Sequence, residues 1–140
     1  MSDKVIVAGV GMIPFGKPGK TDPYNVMGAR AAKLALENAG VSYDKIQQAY
    51  VGYVYGDSTA GQLTLYQVGM TGIPVINVNN NCSTGSTALF LARQAIESGA
   101  IDCALALGFE QMAPGALDSV FADRPQPLDP WKQISQERPT

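Results

Sequence analysis

Residues 74–99 read PVINVNNNCSTGSTALFLARQAIESG and contain the signals of a strand, a polar turn and a helix in succession. The first five, 74–78, form a β-branched run that predicts a buried strand, which the leading proline can only begin. Residues 82–98 place apolar side chains on one helical face, and Gly99 ends that helix. This stretch therefore predicts a strand that leads through three asparagines into a helix.

The flanking sequence repeats the alternation of strand and helix. It predicts further strands at residues 4–8, 50–55 and 103–107, and further helices at residues 23–39 and 62–70. Asp22 is the predicted N-cap of the first helix, and Gly40 the residue that ends it. Near-continuous apolar strands separated by helices are typical of a parallel sheet covered on both faces. We therefore expect an α/β fold with a mostly parallel sheet.

The last fifth of the chain has a different character. Five of the nine prolines lie within residues 113–140, where no amphipathic period is found. We expect residues 1–112 to form a partial α/β domain and residues 113–140 to be an irregular, proline-rich segment. A structureless segment of this length counts against a complete compact domain. The expectation is a truncated chain.

Charge and cysteine usage restrict the partners. Ten basic and 12 acidic residues give a net charge of -2, so no electrostatic footprint for nucleic acid or an anionic membrane is present. No apolar run approaches the ~20 residues of a membrane helix, and the N-terminus does not resemble a secretory signal. Two cysteines make no disulfide framework, which favours a reducing, cytoplasmic compartment.

The chain contains no histidine. One copy therefore cannot assemble a Cys–His or Ser–His dyad, or a His-ligated metal site, from its own residues. Asp22, Asp44 and Asp57 occupy predicted cap or turn positions without metal-ligand spacing. We expect no metal site.

Cys82 follows three asparagines at the predicted start of a helix. The unpaired N–H groups and the dipole of a helix start stabilise a thiolate there, which favours a nucleophile. The alternative is a small buried hydrophobic residue, the commoner fate of an isolated cysteine. Both interpretations stay open on spacing alone. Cys103 lies inside an apolar strand and is interpreted as a core residue.

Three other patterns carry less functional information. Gly9-x-Gly11-x-x-Pro14 has proline at the third position of a dinucleotide fingerprint and no helix directly after it, so it predicts close backbone packing instead. Glu110 follows a predicted strand, yet alone it supports no catalytic role. The alternating tyrosines of the second strand indicate sheet packing; they are Tyr50, Tyr53 and Tyr55.

The segment NVNNNCSTGSTAL at residues 77–89, preceded by MTGIPVI and followed by ALGFEQM, resembles the N-terminal part of a thiolase. The resemblance is greatest to the sterol-carrier-protein-type branch, which acts on 3-oxoacyl-CoA. VIVAGVGMIPFGKPG, VGYVYGDSTAGQ and DCALALGFEQM fit that branch in order, so the likeness covers about the first 125 residues.

This resemblance implies a layered α/β/α fold that is an incomplete N-terminal half of a duplicated fold. It implies that Cys82 takes the acyl group as a thioester, with its own N–H helping to bind the oxyanion. It also implies coenzyme A as a substrate, no covalently bound cofactor, and a dimer contact along residues 74–77. The full-length form is expected to be a homodimer or homotetramer, located in the peroxisome in a eukaryote.

The resemblance further places the catalytic histidines and the second catalytic cysteine in a C-terminal half. The chain alone is therefore expected to be inactive, a partial thiolase-type acyltransferase. An alternative is a non-catalytic half-domain that assembles with a partner chain, such as a complementary thiolase subunit. A free-standing nucleotide-binding module is a weaker alternative, because the glycine pattern is incomplete.

Overall fold

The computed structural model describes residues 4–115 and 121–137. Three strands and four α-helices form in this part of the chain, with a short 3-10 helix at Tyr43–Lys45. In chain order they are α1 (Tyr24–Ala39), β1 (Gln48–Gly52), α2 (Ala60–Leu65), β2 (Val75–Val78), α3 (Thr84–Glu97), β3 (Ala104–Gly108) and α4 (Asp129–Glu137). Within the described ranges, no helix is both long enough and apolar enough to cross a membrane.

The three strands form one parallel sheet in the order β2-β1-β3. In the central strand, Tyr50 pairs with Ile76 on one side and with Ala106 on the other. All three strands therefore end at the same edge of the sheet. Since α3 follows β2 and leads into β3, the turn that carries Cys82 lies at that edge.

Helices cover both faces of the sheet. Alternate residues of β1 point to opposite sides, so this strand contributes to the core on each face. Ala49 and Val51 belong to a core that α1 and α2 cover, together with Leu65 of α2. Tyr50 faces the other way and packs against Ala88 and Ala92 of α3. This confirms the predicted layered α/β/α fold with a parallel sheet.

The ends of α1 agree with the sequence at one terminus only. Gly40 has a left-handed φ of 65° and donates its N–H to the carbonyl oxygens of Glu37 and Leu36, as a helix-ending glycine does. The predicted N-cap, Asp22, makes no capping bond; Pro23 occupies the cap position instead. The Asp22 carboxylate pairs with Arg30, 3.0 Å away. The prediction for Asp22 is wrong because α1 begins at Tyr24, which puts Asp22 one residue before the cap position.

The predicted strand at residues 4–8 is also wrong. These residues are irregular in the structure, and the segment that follows them packs against α1. The Val10 N–H donates to Asn38 Oδ1 at 3.0 Å, and a Cβ on Gly9 would stand 2.5 Å from the Ala39 nitrogen. Strand geometry needs a ladder partner, and none of the three strands pairs with residues 4–8. The expectation of close backbone packing at Gly9 and Gly11 is confirmed.

The other elements form near their predicted positions, with shifted bounds. The strand predicted at 50–55 runs from Gln48 to Gly52, and the helix predicted at 62–70 is the shorter α2. The segment expected to be irregular at 113–140 contains α4, which corrects that expectation. Asp129 and Pro130 open this helix, and the Asp129 carboxylate accepts the Gln126 N–H at 2.8 Å. Residues 116–120 and 138–140 lie outside the described part.

Candidate functional site

The turn between β2 and α3 is a short asparagine run held by local hydrogen bonds. Asn79 Oδ1 accepts the Asn81 N–H at 3.1 Å, and the Asn80 carbonyl accepts the Ser83 N–H at 3.0 Å. Asn81 has a φ of 48°, in the left-handed region that non-glycine residues adopt rarely. Asparagine tolerates this conformation better than most residues, which explains its place before Cys82.

Cys82 is exposed at this turn, two residues before the first residue of α3. Its Sγ lies 3.9 Å from Asn81 Oδ1. Within residues 4–115 and 121–137, no acceptor bonds to the Cys82 N–H. The interpretation of Cys82 as a small buried hydrophobic residue is therefore wrong. A sulfur and a free N–H stand together at the surface, beside the positive end of a helix dipole.

The second cysteine has a different environment. Cys103 precedes β3 by one residue, is partly buried and packs against the larger core. Its N–H donates to Gln47 Oε1 at 2.9 Å. The interpretation of Cys103 as a packing residue agrees with these contacts, and the contrast with Cys82 makes it a useful internal control.

The start of α3 approaches the sheet edge closely because glycines face it. A Cβ built on Gly52, the last residue of β1, would stand 2.6 Å from Thr84 Cγ2 and 2.7 Å from the Thr84 carbonyl oxygen. A Cβ on Gly108, the last residue of β3, would stand 3.4 Å from the Gly85 Cα. The height of the Cys82 turn above the sheet is therefore set by backbone contacts.

Sequence reasoning missed Thr84, the first residue of α3. Its side chain is buried, and its hydroxyl accepts the Asn80 N–H at 2.9 Å and donates to the Asn81 carbonyl. The available signal was a threonine within two residues of a helix start, where Ser and Thr side chains bond local backbone groups. The same signal is present in neighbouring residues, so it did not single out Thr84.

Glu110 holds the loop that follows β1. Its two carboxylate oxygens accept the N–H groups of Val54 and Tyr55, at 2.9 and 3.1 Å. Next to it, the Phe109 ring stacks between Tyr53 and Tyr24, with centroid distances of 5.3 and 5.1 Å. These contacts give Glu110 a structural role. From the sequence alone, no catalytic role was assigned to it.

Replacing Glu110 with glutamine is expected to lower the free energy of unfolding by about 1.5–3 kcal/mol, because one N–H of the pair then faces an amide group instead of a charged oxygen. Urea denaturation measures the change. The matched control is Glu97→Gln, which breaks an exposed ion pair with Arg93 and is expected to cost about 0.3–0.5 kcal/mol. Equal effects of the two substitutions would contradict the structural role of Glu110.

The described residues contain no group of three or more His, Cys, Asp or Glu side chains placed to hold a metal ion. Two clefts of about 370 and 470 Å³ flank Tyr43, the first against α1 and the second against β2. Cys82 does not line either cleft. The candidate site is the turn at the sheet edge, which carries the exposed cysteine.

Residues 5–122 match the family description "Thiolase, N-terminal domain". The chain belongs to the thiolase family. This thiolase-family chain is 54% identical over 136 residues to sterol carrier protein 2 of Gallus gallus, a match covering 96% of the chain and 25% of that relative. The chain thus spans about a quarter of the relative's length.

Two further comparisons carry names that mention coenzyme A. The thiolase-family chain is 38% identical over 109 residues to the benzoylsuccinyl-CoA thiolase subunit BbsB of Thauera aromatica, covering 76% of the chain and 28% of that protein. Among solved structures, acetyl-CoA acetyltransferase from Syntrophomonas wolfei superposes with a TM-score of 0.64 at 25% identity. That match covers 71% of the chain and 27% of the acetyltransferase.

Proposed function

We propose that this chain supplies the acyl-accepting half of a thiolase-type acyltransferase, with Cys82 as the residue that carries the acyl group. The observation that carries the proposal is the exposed Cys82 thiol with its unbonded N–H at the start of α3. A nucleophile and an oxyanion donor on the same residue are what a thioester intermediate requires.

The reaction proceeds in two halves. In the first, Cys82 Sγ attacks the 3-keto carbon of a 3-oxoacyl-CoA, and the negative charge that forms on the oxygen meets the Cys82 N–H. The bond between C2 and C3 then breaks, leaving an acyl thioester on Cys82 and acetyl-CoA, whose C2 takes up a proton. In the second half, the thiol of another coenzyme A attacks this thioester and frees the sulfur. The condensation direction reverses these steps.

The names of the relatives support this substrate class. A benzoylsuccinyl-CoA thiolase subunit and an acetyl-CoA acetyltransferase are both named for coenzyme A esters. Coenzyme A is thus a substrate in the proposal, with no covalently bound cofactor. The thiolase resemblance assigns acid–base roles to histidines, and the 140 residues include none, so the proposal takes these groups from polypeptide outside them.

Single-turnover acylation tests the proposal. The purified chain is incubated with acetyl-CoA, which can transfer its acetyl group to a thiolate by thioester exchange, and the labelled peptide is identified by mass spectrometry. We expect the acetyl group on Cys82 and not on Cys103, because only the former is exposed. A Cys103→Ala variant is expected to label as the unmodified chain does. Labelling confined to Cys103, or none, would contradict the proposal.

A second candidate function is assembly with another polypeptide, either a second copy in a homodimer or homotetramer or a complementary thiolase subunit. One observation favours it: large apolar side chains of the N-terminal segment are exposed, Phe15 at 95%. Exposed apolar patches commonly mark interfaces. Sedimentation of the chain alone, and co-purification with a partner that carries histidine, test this candidate. A monomer that captures no partner would contradict it.

We also propose a reducing compartment, the cytoplasm or, in a eukaryote, the peroxisome. Both cysteines are free thiols in the structure, and free thiols persist where the redox poise is reducing. Fractionation of the source cells with an antibody to the chain tests this location. Recovery from a secreted fraction would contradict it.

A further inference from the structure

The Thr84 side chain makes two hydrogen bonds across the turn that carries Cys82, and the Thr84 N–H donates to the Asn81 carbonyl oxygen at 3.1 Å as well. Its Oγ1 accepts the Asn80 N–H at 2.9 Å and donates to the Asn81 carbonyl oxygen. The residue is 4% exposed, so water does not compete effectively for these bonds. One hydroxyl thus links the peptide group before Asn80 to the peptide group that ends in the Cys82 N–H.

The other arm of the Thr84 side chain fixes where that hydroxyl lies. Its methyl carbon, Cγ2, faces Gly52 so closely that a Cβ there would stand 2.6 Å away. A β-branched side chain has few χ1 rotamers, and the methyl contact with the sheet selects one of them. The sheet edge therefore determines the position of Oγ1, and Oγ1 adds two bonds to a turn that the Asn79 side chain and the N–H groups of Ser83 and Thr84 also hold.

The torsion held in this way is an unfavourable one. Asn81 adopts a φ of 48°, a conformation that persists in non-glycine residues when the surrounding structure stabilises it. Rotation of Asn81 back to negative φ would redirect the peptide group that ends in the Cys82 N–H. Both groups proposed to act on the acyl carbon, the Sγ and the N–H of Cys82, would then move.

We infer that Thr84 is a positioning residue for acyl transfer to Cys82: its hydroxyl locks Asn81 in the left-handed conformation and so aligns the Cys82 N–H with the thioester oxygen. The inference rests on the proposed function of Cys82. Thr84 does not touch the substrate; it acts through the two asparagine peptide groups.

The test compares Thr84→Val, which keeps the shape and removes the hydroxyl, with Thr84→Ser, which keeps the hydroxyl. The rate of Cys82 acylation by acetyl-CoA is expected to fall between about ten- and a hundredfold in Thr84→Val, the range that misplacement of about 1 Å causes. Thr84→Ser is expected to retain most of the rate. The matched control is Thr64→Val, which removes an equally buried hydroxyl bonded to the Ala60 carbonyl.

A second reagent distinguishes misalignment of the Cys82 N–H from a general loosening of the turn. Alkylation of Cys82 by iodoacetamide forms no oxyanion, so it reports the accessibility and ionisation of the thiol alone. Thr84→Val is expected to lose more acylation than alkylation, whereas Thr64→Val is expected to keep the ratio of the two rates. An unchanged ratio in Thr84→Val would overturn the positioning role.

If Thr84→Val does not fold, the substitution Asn81→Val at an exposed residue tests the same inference. Valine disfavours positive φ, and Thr84 stays in place. It is expected to slow acylation as Thr84→Val does, and acylation at the unmodified rate would overturn the inference. Absence of acetyl label on Cys82 in the unmodified chain would instead refute the proposed function, so the two failures are distinguishable.

Discussion

Replacing Cys82 with serine is expected to lower acyl transfer from acetyl-CoA by about a thousandfold or more, which corresponds to about 4 kcal/mol of activation free energy. The physical reason is the nucleophile: sulfur is intrinsically very nucleophilic, whereas a serine hydroxyl needs an adjacent base. The chain has no histidine to supply one. Quenched-flow acylation followed by intact-mass measurement gives the rate.

The fold is expected to tolerate this substitution. Cys82 is exposed and its sulfur makes a single long contact with Asn81, so the free energy of unfolding is expected to change by less than about 0.5 kcal/mol. Cys103→Ser is the control. It places a hydroxyl in a partly buried apolar setting, so it is expected to lower the free energy of unfolding and to leave acylation unchanged. Residual acylation of Cys82→Ser above one part in a hundred would contradict the assigned nucleophile.

Replacing Gly52 with valine is expected to affect stability and acyl transfer together. The new Cβ would stand 2.7 Å from the Thr84 carbonyl oxygen and 2.8 Å from the Thr84 carbonyl carbon, which belong to the backbone and cannot rotate away. Overpacking of this kind costs about 1–3 kcal/mol, occasionally more. The start of α3 must then lift from the sheet edge, which carries the Cys82 turn with it. Urea denaturation and the acylation assay measure the two effects.

Gly85→Ala is the matched control for Gly52→Val. A Cβ on Gly85 meets nothing within 4 Å apart from its own helix, and alanine is favoured over glycine in helices by up to about 1 kcal/mol. The free energy of unfolding is therefore expected to rise slightly. If Gly52→Val unfolded at the same urea concentration as the unmodified chain, the close approach of helix and sheet would be disproved.

The element pattern of residues 74–99 was predictable because its determinants are local. A β-branched run, a polar turn and an apolar face ending at Gly99 each act within a few residues, and Gly99 does adopt a left-handed φ of 73°. The strand expected at residues 4–8 failed for a nonlocal reason. The same β-branched sequence is compatible with any extended path, and the residues that follow it, Gly9 to Gly11, contact α1 and not a strand.

In the candidate site, too, local features were predictable and features that depend on distant residues were not. The place of Cys82 at the end of a strand and the start of a helix follows from the sequence, and the thiolase resemblance has its greatest detail there. The role of Thr84 does not follow, because it depends on the approach of Gly52 from a strand 32 residues earlier in the chain. The left-handed torsion of Asn81 is likewise hidden among three consecutive asparagines.

The helix α4 shows how composition can mislead. Prolines concentrated after residue 112 predicted an irregular segment, yet Pro130 sits in the first turn of α4, where its missing N–H costs nothing. Residues beyond it, from Trp131 to Glu137, contain no proline or glycine. Position within the element, and not the count of prolines, decided the outcome.

The N-terminal segment packs closely against α1. One side of α1 has an alanine every four residues, at Ala31, Ala35 and Ala39. The peptide groups of Gly9 and Gly11 pack against this row of small side chains. A side chain larger than alanine at position 35 or 39 would therefore displace the N-terminal segment from α1 while the sequence of that segment stayed the same.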